Sequence, residues 1–367
     1  MGKESVVRIN LIKYLFQQGE MELVRSGDLK AFGFTYPSGV CALRIVNKRG
    51  EIIVLPFHGQ KVWDAVFDGR RLKMQTIVKE PKDTQDFLAN MGGFLFHCGM
   101  TAIGSPGPED RHPIHGELVN AKYNQAYIEA GSDEKGAFIG VGGVYEHSIA
   151  FGAHYITKPS LRLYENDTLI HFQMQVQNLN QTPMEYMYLA HINFLPVDFG
   201  TFVYSAPYDK AHVHLRNSFP SHTQPTKALQ DFVSELEKNP KIHHTLKPEF
   251  VFDPEIVFMI DYEADAEGWA HSMFIHPDGS ADYVCHKPSQ LDHGIRWISR
   301  TPNQQSLGME VGTAGVEGYT TEKEKGTVKE LGPGMVFSCE FSAGLLDRTD
   351  TGVMRTMINH LMRRDEI

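Results

Sequence analysis

Between residues 168 and 177 the chain reads TLIHFQMQVQ, and every second side chain is apolar. Ile170, Phe172, Met174 and Val176 fall on one side; His171, Gln173, Gln175 and Gln177 fall on the other. A period of two is the mark of an extended strand with one buried face, because a helix would scatter the same residues around its axis. The pattern recurs. Residues 40–46 (VCALRIV) lead into the turn Asn47-Lys48-Arg49-Gly50 and the apolar run 52–56. Near the end, Phe337, Cys339 and Phe341 alternate with Ser338, Glu340 and Ser342 after Gly332-Pro333-Gly334. Few helix-length patterns interrupt these segments, which predicts an all-β chain: a large antiparallel β-sandwich rather than a doubly wound parallel sheet.

Two segments carry helical spacing instead. Leu229, Phe232, Val233 and Leu236 mark a helical insertion over 226–238 that ends at Pro240. Val353, Met354, Met357, Ile358, Leu361 and Met362 mark a C-terminal helix over 350–364, and 8–25 is ambiguous between helix and strand. No repeat, low-complexity tract or Pro/Ser-rich linker divides the chain, so residues 1–367 are expected to form a single domain with its sandwich over about 35–345.

The net charge of −10 argues against a nucleic-acid footprint and against an anionic membrane surface. Cys41, Cys98, Cys285 and Cys339 form no CxxC pair and sit among apolar neighbours, the pattern of reduced, buried thiols. The N-terminus has no basic-then-apolar leader pattern, so a cytoplasmic protein is expected. Monomer and homodimer are both compatible with these features.

Three segments carry candidate chemistry. The first is the long loop 99–117, rich in Gly and Pro, where Gly116 allows close backbone approach and His115 beside it offers a hydrogen-bond donor. A hydrogen-bonded loop histidine is the competing reading, and His112, His115 and Glu117 together also have the composition of a metal site. The second is 185–196 (EYMYLAHINFLP), where His191 and Asn193 end a row begun by Met187 and Leu189. Such a row either emerges from the core into a cavity or ends in a satisfied core histidine. The third is 306–315 (SLGMEVGTAG), which sets Glu310 among small and apolar residues. Desolvation there would raise its pKa and suit a general base near neutrality; a surface loop glutamate is the alternative.

Taken together, His115-Gly116, His191 with Phe194-Leu195, and Leu307-Gly308-Met309-Glu310-Val311-Gly312-Thr313 resemble the galactose mutarotase (aldose 1-epimerase) superfamily in motif and chain order. Gly50–Gly69 and the closing Leu331-Gly332-Pro333-Gly334 resemble the family's first hairpins and last strands, and the likeness points to the DUF4432-type branch. The resemblance implies a galactose mutarotase-like supersandwich that interconverts the α and β anomers of a monosaccharide, with no cofactor and no metal. It implies Glu310 as base on the C1 hydroxyl, His191 as acid on the ring oxygen and His115 as a polarising donor. Candidate substrate-binding residues are His112, Glu117, His58, Asp253, Lys287, Arg296 and Trp297. The chain departs from the galactose enzymes in reading Ala190-His191-Ile192-Asn193-Phe194 where they carry His-His or Asn-His before Tyr-Phe-Asn, and this bears on the sugar more than on the reaction. A metal-assisted sugar isomerase or lyase using His112, His115 and Glu117, and a non-catalytic carbohydrate-binding protein, are the competing functions.

Overall fold

The computed structural model describes residues 6–17, 19–216, 218–219 and 223–363. Strands dominate it and build two antiparallel sheets, one of 13 strands and one of 10 among the described residues. The larger runs from the edge strand Val213–Leu215 through Ile256–Ile260, His293–Thr301, Gln304–Gly312, Met184–Phe194, Leu95–Met100 and Lys61–Phe67 to the edge Met21–Ser26. The smaller runs from Val7–Leu11 through Gln125–Asp133, Gly136–Ser148, Leu169–Asn178 and Val336–Leu346 to Thr201–Tyr204. The expected β-sandwich of the galactose mutarotase type is the fold observed.

Alternation explains the packing between the layers. Ile170, Phe172, Met174 and Val176 are buried in the shared core, while Gln173 and Gln175 face solvent. Phe172 lies directly opposite Phe341 on the neighbouring strand, and their rings stack with centroids 4.9 Å apart. Each ring excludes water from its partner, so Phe172→Ala should cost about 3–5 kcal/mol of stability, measurable as a lowered chemical-denaturation midpoint at unchanged m. A loss below about 1 kcal/mol would show that this layer is loosely packed.

The ambiguous segment 8–25 resolves into the strands Val7–Leu11 and Met21–Ser26, one on the edge of each sheet, with the short 3₁₀ turn Lys13–Leu15 between them. Both strands are largely exposed on their two faces, so neither is required to alternate and no period stood out in the sequence. Both expected helices are present. Thr226 caps Lys227–Lys238, and Asp347 caps Arg348–Leu361 by accepting from the amides of Thr349 and Asp350. That cap starts the C-terminal helix two residues earlier than the apolar stripe indicates. A further helix, Tyr319–Glu324, is too short for a periodic signal.

The face of the larger sheet that points away from the core is also covered. Met74, Phe87, Met91, Ile103 and Val316 come from loops and pack on Phe96, Leu189, Val257, Ile295 and Trp297 of the strands. The strand Ile256–Ile260 therefore reads IVFMI without alternation, because both of its faces are buried or nearly so.

Candidate active site

Register brings the candidate residues onto that outer face. Ile295 pairs with Glu310 and Trp297 with Gly308 across the hairpin of His293–Thr301 and Gln304–Gly312. On the other flank, Ala190 pairs with Val311 and Asn193 with Gly308, a register that sets His191 opposite Glu310. Because side chains alternate, His191, Glu310, Ile295 and Trp297 all project to the same side, into one cavity of about 320 Å3. His115 enters the same cavity from its loop. Three polar residues from distant parts of the chain thus converge.

Glu310 and His191 are each only 3% exposed. Glu310 Oε1 lies 3.2 Å from His191 Nδ1, yet the two atoms are not aligned for a hydrogen bond, and among the described residues neither has another partner. Burial, with the nearby charge of Glu255, pushes the Glu310 carboxyl well above its ordinary range. Burial also pulls the His191 imidazole down to about 4. Both shifts have one cause: a dry site disfavours the charged form of either group. Between the lowered imidazole and the raised carboxyl the pair carries one proton, and both shifts favour the carboxyl as its holder.

His115 is held differently. Its backbone sits at φ 59°, in the left-handed region, and its amide and carbonyl bond to Gly104 O (2.9 Å) and Gly99 N (3.0 Å). Its Nδ1 accepts from the Gly104 amide at 3.4 Å, which fixes the tautomer and leaves Nε2–H as a donor. Burial next to His191 holds it well below the ordinary imidazole range, so it stays neutral. Gly116, at φ 75°, has a different use from the one expected. A Cβ there would come within 2.3 Å of the Ala102 carbonyl, so the glycine lets the loop close on its own backbone rather than on a ligand.

Gly308 explains the small-residue setting of Glu310. A Cβ at Gly308 would stand 2.3 Å from Glu310 Oε1 and 3.0 Å from Trp297 Cβ, so the carboxylate folds back over the space the glycine leaves. Gly308→Ala should displace the carboxylate, which can swing aside, without opening the sheet. We expect a loss of tenfold or more in turnover of any substrate using Glu310, with the melting temperature nearly unchanged. Unaltered turnover would mean that the position of this carboxylate is unimportant.

Sequence reasoning missed two charged residues in the cavity wall. Glu255 accepts the Trp297 indole N–H at 2.7 Å and pairs with the Arg216 guanidinium, whose Nε also donates to Ser218 O at 2.9 Å. Glu255 follows Asp253-Pro254, so the carboxylate expected there exists two residues later. Arg216 lies on a loop and carried no periodic signal.

Of the candidate binding residues, Trp297 alone lines the cavity, its ring 5.5 Å from that of His191. Arg296 is one residue away and therefore points to the opposite face of its strand. There, between the sheets, it donates to His243 Nε2 (2.8 Å) and lies over the rings of Phe202 and Tyr204. Glu117 is consumed by scaffold contacts, accepting from Thr101 N (3.1 Å), Thr101 Oγ1 (2.7 Å) and Tyr155 OH (2.5 Å). His112 accepts from the Tyr319 amide at 3.3 Å and stands 3.5 Å from Asp110, pinning its own loop. His58 contacts Asn120 and Asn90, each at 3.0 Å, in a buried polar cluster with Lys61 that anchors the loop carrying Phe87 and Met91. The Asp253 carbonyl accepts from Thr226 N at 3.1 Å, outside the cavity lining. Lys287 pairs with Glu340 at 2.5 Å, beyond the last residue of a strand of the smaller sheet. His112, His115 and Glu117 do not converge, and among the described residues no group of three or more His, Cys, Asp and Glu side chains is placed to hold a metal ion.

A family model described as a domain of unknown function (DUF4432) matches residues 37–345. No curated protein matches the chain. Among solved structures, a provisionally assigned aldose 1-epimerase from Klebsiella pneumoniae is 18% identical, with a TM-score of 0.82 over 97% of this chain and 96% of that one. A galactose mutarotase-like protein from Clostridium acetobutylicum is 14% identical, with a TM-score of 0.58 over 87% of this chain and 98% of that one. Another from Lactobacillus casei is 11% identical, with a TM-score of 0.52 over 83% and 99%. At such identities the likeness establishes the fold.

Proposed function

The chain belongs to the DUF4432 family, on a fold shared with galactose mutarotase-like proteins, and from this we propose that it is a mutarotase of the aldose 1-epimerase type. The observation that carries the reading is the close approach of Glu310 and His191 on the floor of one cavity, with the facing atoms of both free of hydrogen bonds among the described residues. A cavity of about 320 Å3 suits a single pyranose ring.

Anomer exchange needs a proton to leave the C1 hydroxyl while another reaches the ring oxygen. In its working form the pair is Glu310 carboxylate and His191 imidazolium, a tautomer with the same single proton as the resting pair. Glu310 takes the proton from O1, the C1–O5 bond breaks, and His191 delivers its proton to O5. The open-chain aldehyde rotates about C1–C2 and recloses through the reverse steps, giving the other anomer. Reclosure returns both protons to their starting groups, so each turnover ends on the carboxylate and imidazolium, and the 3.2 Å separation lets the resting pair convert into that working form. His115, neutral and donating through Nε2, steadies the oxygen that gains charge. Each well-placed acid or base contributes roughly 10²–10⁴-fold, so the pair is sufficient without an organic cofactor.

Four free thiols suit a reducing compartment, and among the described residues no helix is long and apolar enough to cross a membrane. We therefore place the reaction in the cytoplasm. The test is NMR saturation transfer between α and β anomers across a panel of aldoses near neutral pH, with and without EDTA. Acceleration in both conditions supports the reading. Acceleration abolished by EDTA would favour a metal-assisted enzyme, and binding without exchange would favour a carbohydrate-binding protein.

A further inference from the structure

We infer that the substrate is an uncharged aldose with an apolar group on C5, a 6-deoxyhexose in preference to a hexose or a hexose phosphate. The inference rests on the reading of Glu310 and His191 given above. If the imidazoles address the ring oxygen, they also fix where C5 lies, because C5 is bonded to that oxygen. The C5 substituent must then sit beside the two histidines.

Their surroundings are apolar. The Phe87 ring centroid is 4.8 Å from that of His115 and 6.1 Å from that of His191. Phe96 and Trp297 stand 5.9 Å and 5.5 Å from His191. Ile114 precedes His115 in the lining, and Phe87 and Met91 flank the short 3₁₀ turn Leu88–Asn90 on the same wall. The apolar side continues to the mouth, where Ile77 and Leu88 line the cavity while 71% and 45% exposed. The lining also carries Thr76 and Ser105, but a C6 hydroxyl packed on the Phe87, Met91 and Ile114 side chains themselves gives up its water for apolar contact, a loss of roughly tenfold or more in binding. A C6 methyl fills the same space with favourable contact.

Charge narrows the class further. Among the described residues Arg216 is the one Lys or Arg lining the cavity, and its guanidinium is engaged by Glu255 and by the Ser218 carbonyl. A phosphate or carboxylate on C6 would face Glu255 and Glu310 with no unengaged cation. Glu255 thus offsets the positive charge that would otherwise hold an anion there, which disfavours a sugar phosphate.

The experiment compares matched sugars on the wild-type protein: 6-deoxy-D-glucose with D-glucose, D-fucose with D-galactose, and L-rhamnose with L-mannose, with D-glucose 6-phosphate as the charged arm. Calorimetry measures binding and saturation transfer measures exchange. In at least one pair, the deoxy sugar should exceed its parent by tenfold or more in affinity or in kcat/KM, and the phosphate should be the poorest. The near-isosteric Met91→Gln supplies an amide to the wall and should bring the deoxy-to-parent ratio towards one. Deoxy-selective binding without exchange would support this substrate class while removing the mutarotase reading. Exchange with parents equal to or better than their deoxy partners would overturn the class and leave the mutarotase reading intact. Binding of no sugar in the panel would overturn the class as well.

Discussion

Replacing Glu310 by glutamine should lower anomer exchange by about 10³-fold while leaving the fold intact. Glutamine keeps the length and planarity of the carboxyl group, and so preserves its fit over Gly308, but its amide cannot accept the O1 proton. Stability should hold or rise. Glu310 is buried with an oxygen that has no hydrogen-bond partner among the described residues, and desolvation holds its pKa well above the ordinary carboxyl range. A group kept under those conditions strains the folded state, and the neutral amide relieves it. The paired readout is saturation-transfer rate against melting temperature. Full activity in the variant removes Glu310 from the chemistry. A collapse in melting temperature would instead make it a structural residue.

The sequence made the sandwich legible because a half-buried strand writes its geometry directly as alternation, as in 168–177. It was less informative where that rule lapses. The Ile256–Ile260 strand is covered on both faces and shows no alternation; Val7–Leu11 and Met21–Ser26 are edge strands with a weak pattern. Glu310, His191 and His115 each allowed a purely structural reading and were singled out by their joint resemblance to the galactose mutarotase superfamily; the fold does bring them together. Of the seven candidate binding residues only Trp297 lines the cavity, and the reasons are physical. Arg296 and Trp297 are neighbours, yet one step along a strand reverses the face, so only the indole reaches the cavity. Glu117, His112 and His58 are polar residues near the site in sequence, but each is spent on holding a loop in place. Arg216 and Glu255 come from irregular segments, where position depends on the whole tertiary structure and no period announces it.

Removing the imidazole gives the second large effect and, unlike the first, it changes the direction of a pH profile. His191→Asn should cost about 10²–10³-fold in kcat/KM, since the acid on the ring oxygen is lost. In the wild type the working pair holds one proton. Because burial draws His191 to about 4, a second proton adds only near that pH, and activity should persist well below pH 6.5, where an ordinary histidine would titrate. At the alkaline end the shared proton leaves the raised Glu310 carboxyl, and activity should fall as pH rises through that value. Without His191 the same carboxyl titrates alone. It works only as carboxylate, with His115 or water supplying the proton, so residual activity should rise with pH over the range where the wild type falls. The measurement is kcat/KM against pH for both proteins, with folding checked by circular dichroism at each pH. Parallel profiles, or a loss below tenfold, would return His191 to the role of a buried core histidine and leave the close approach to Glu310 without a catalytic purpose.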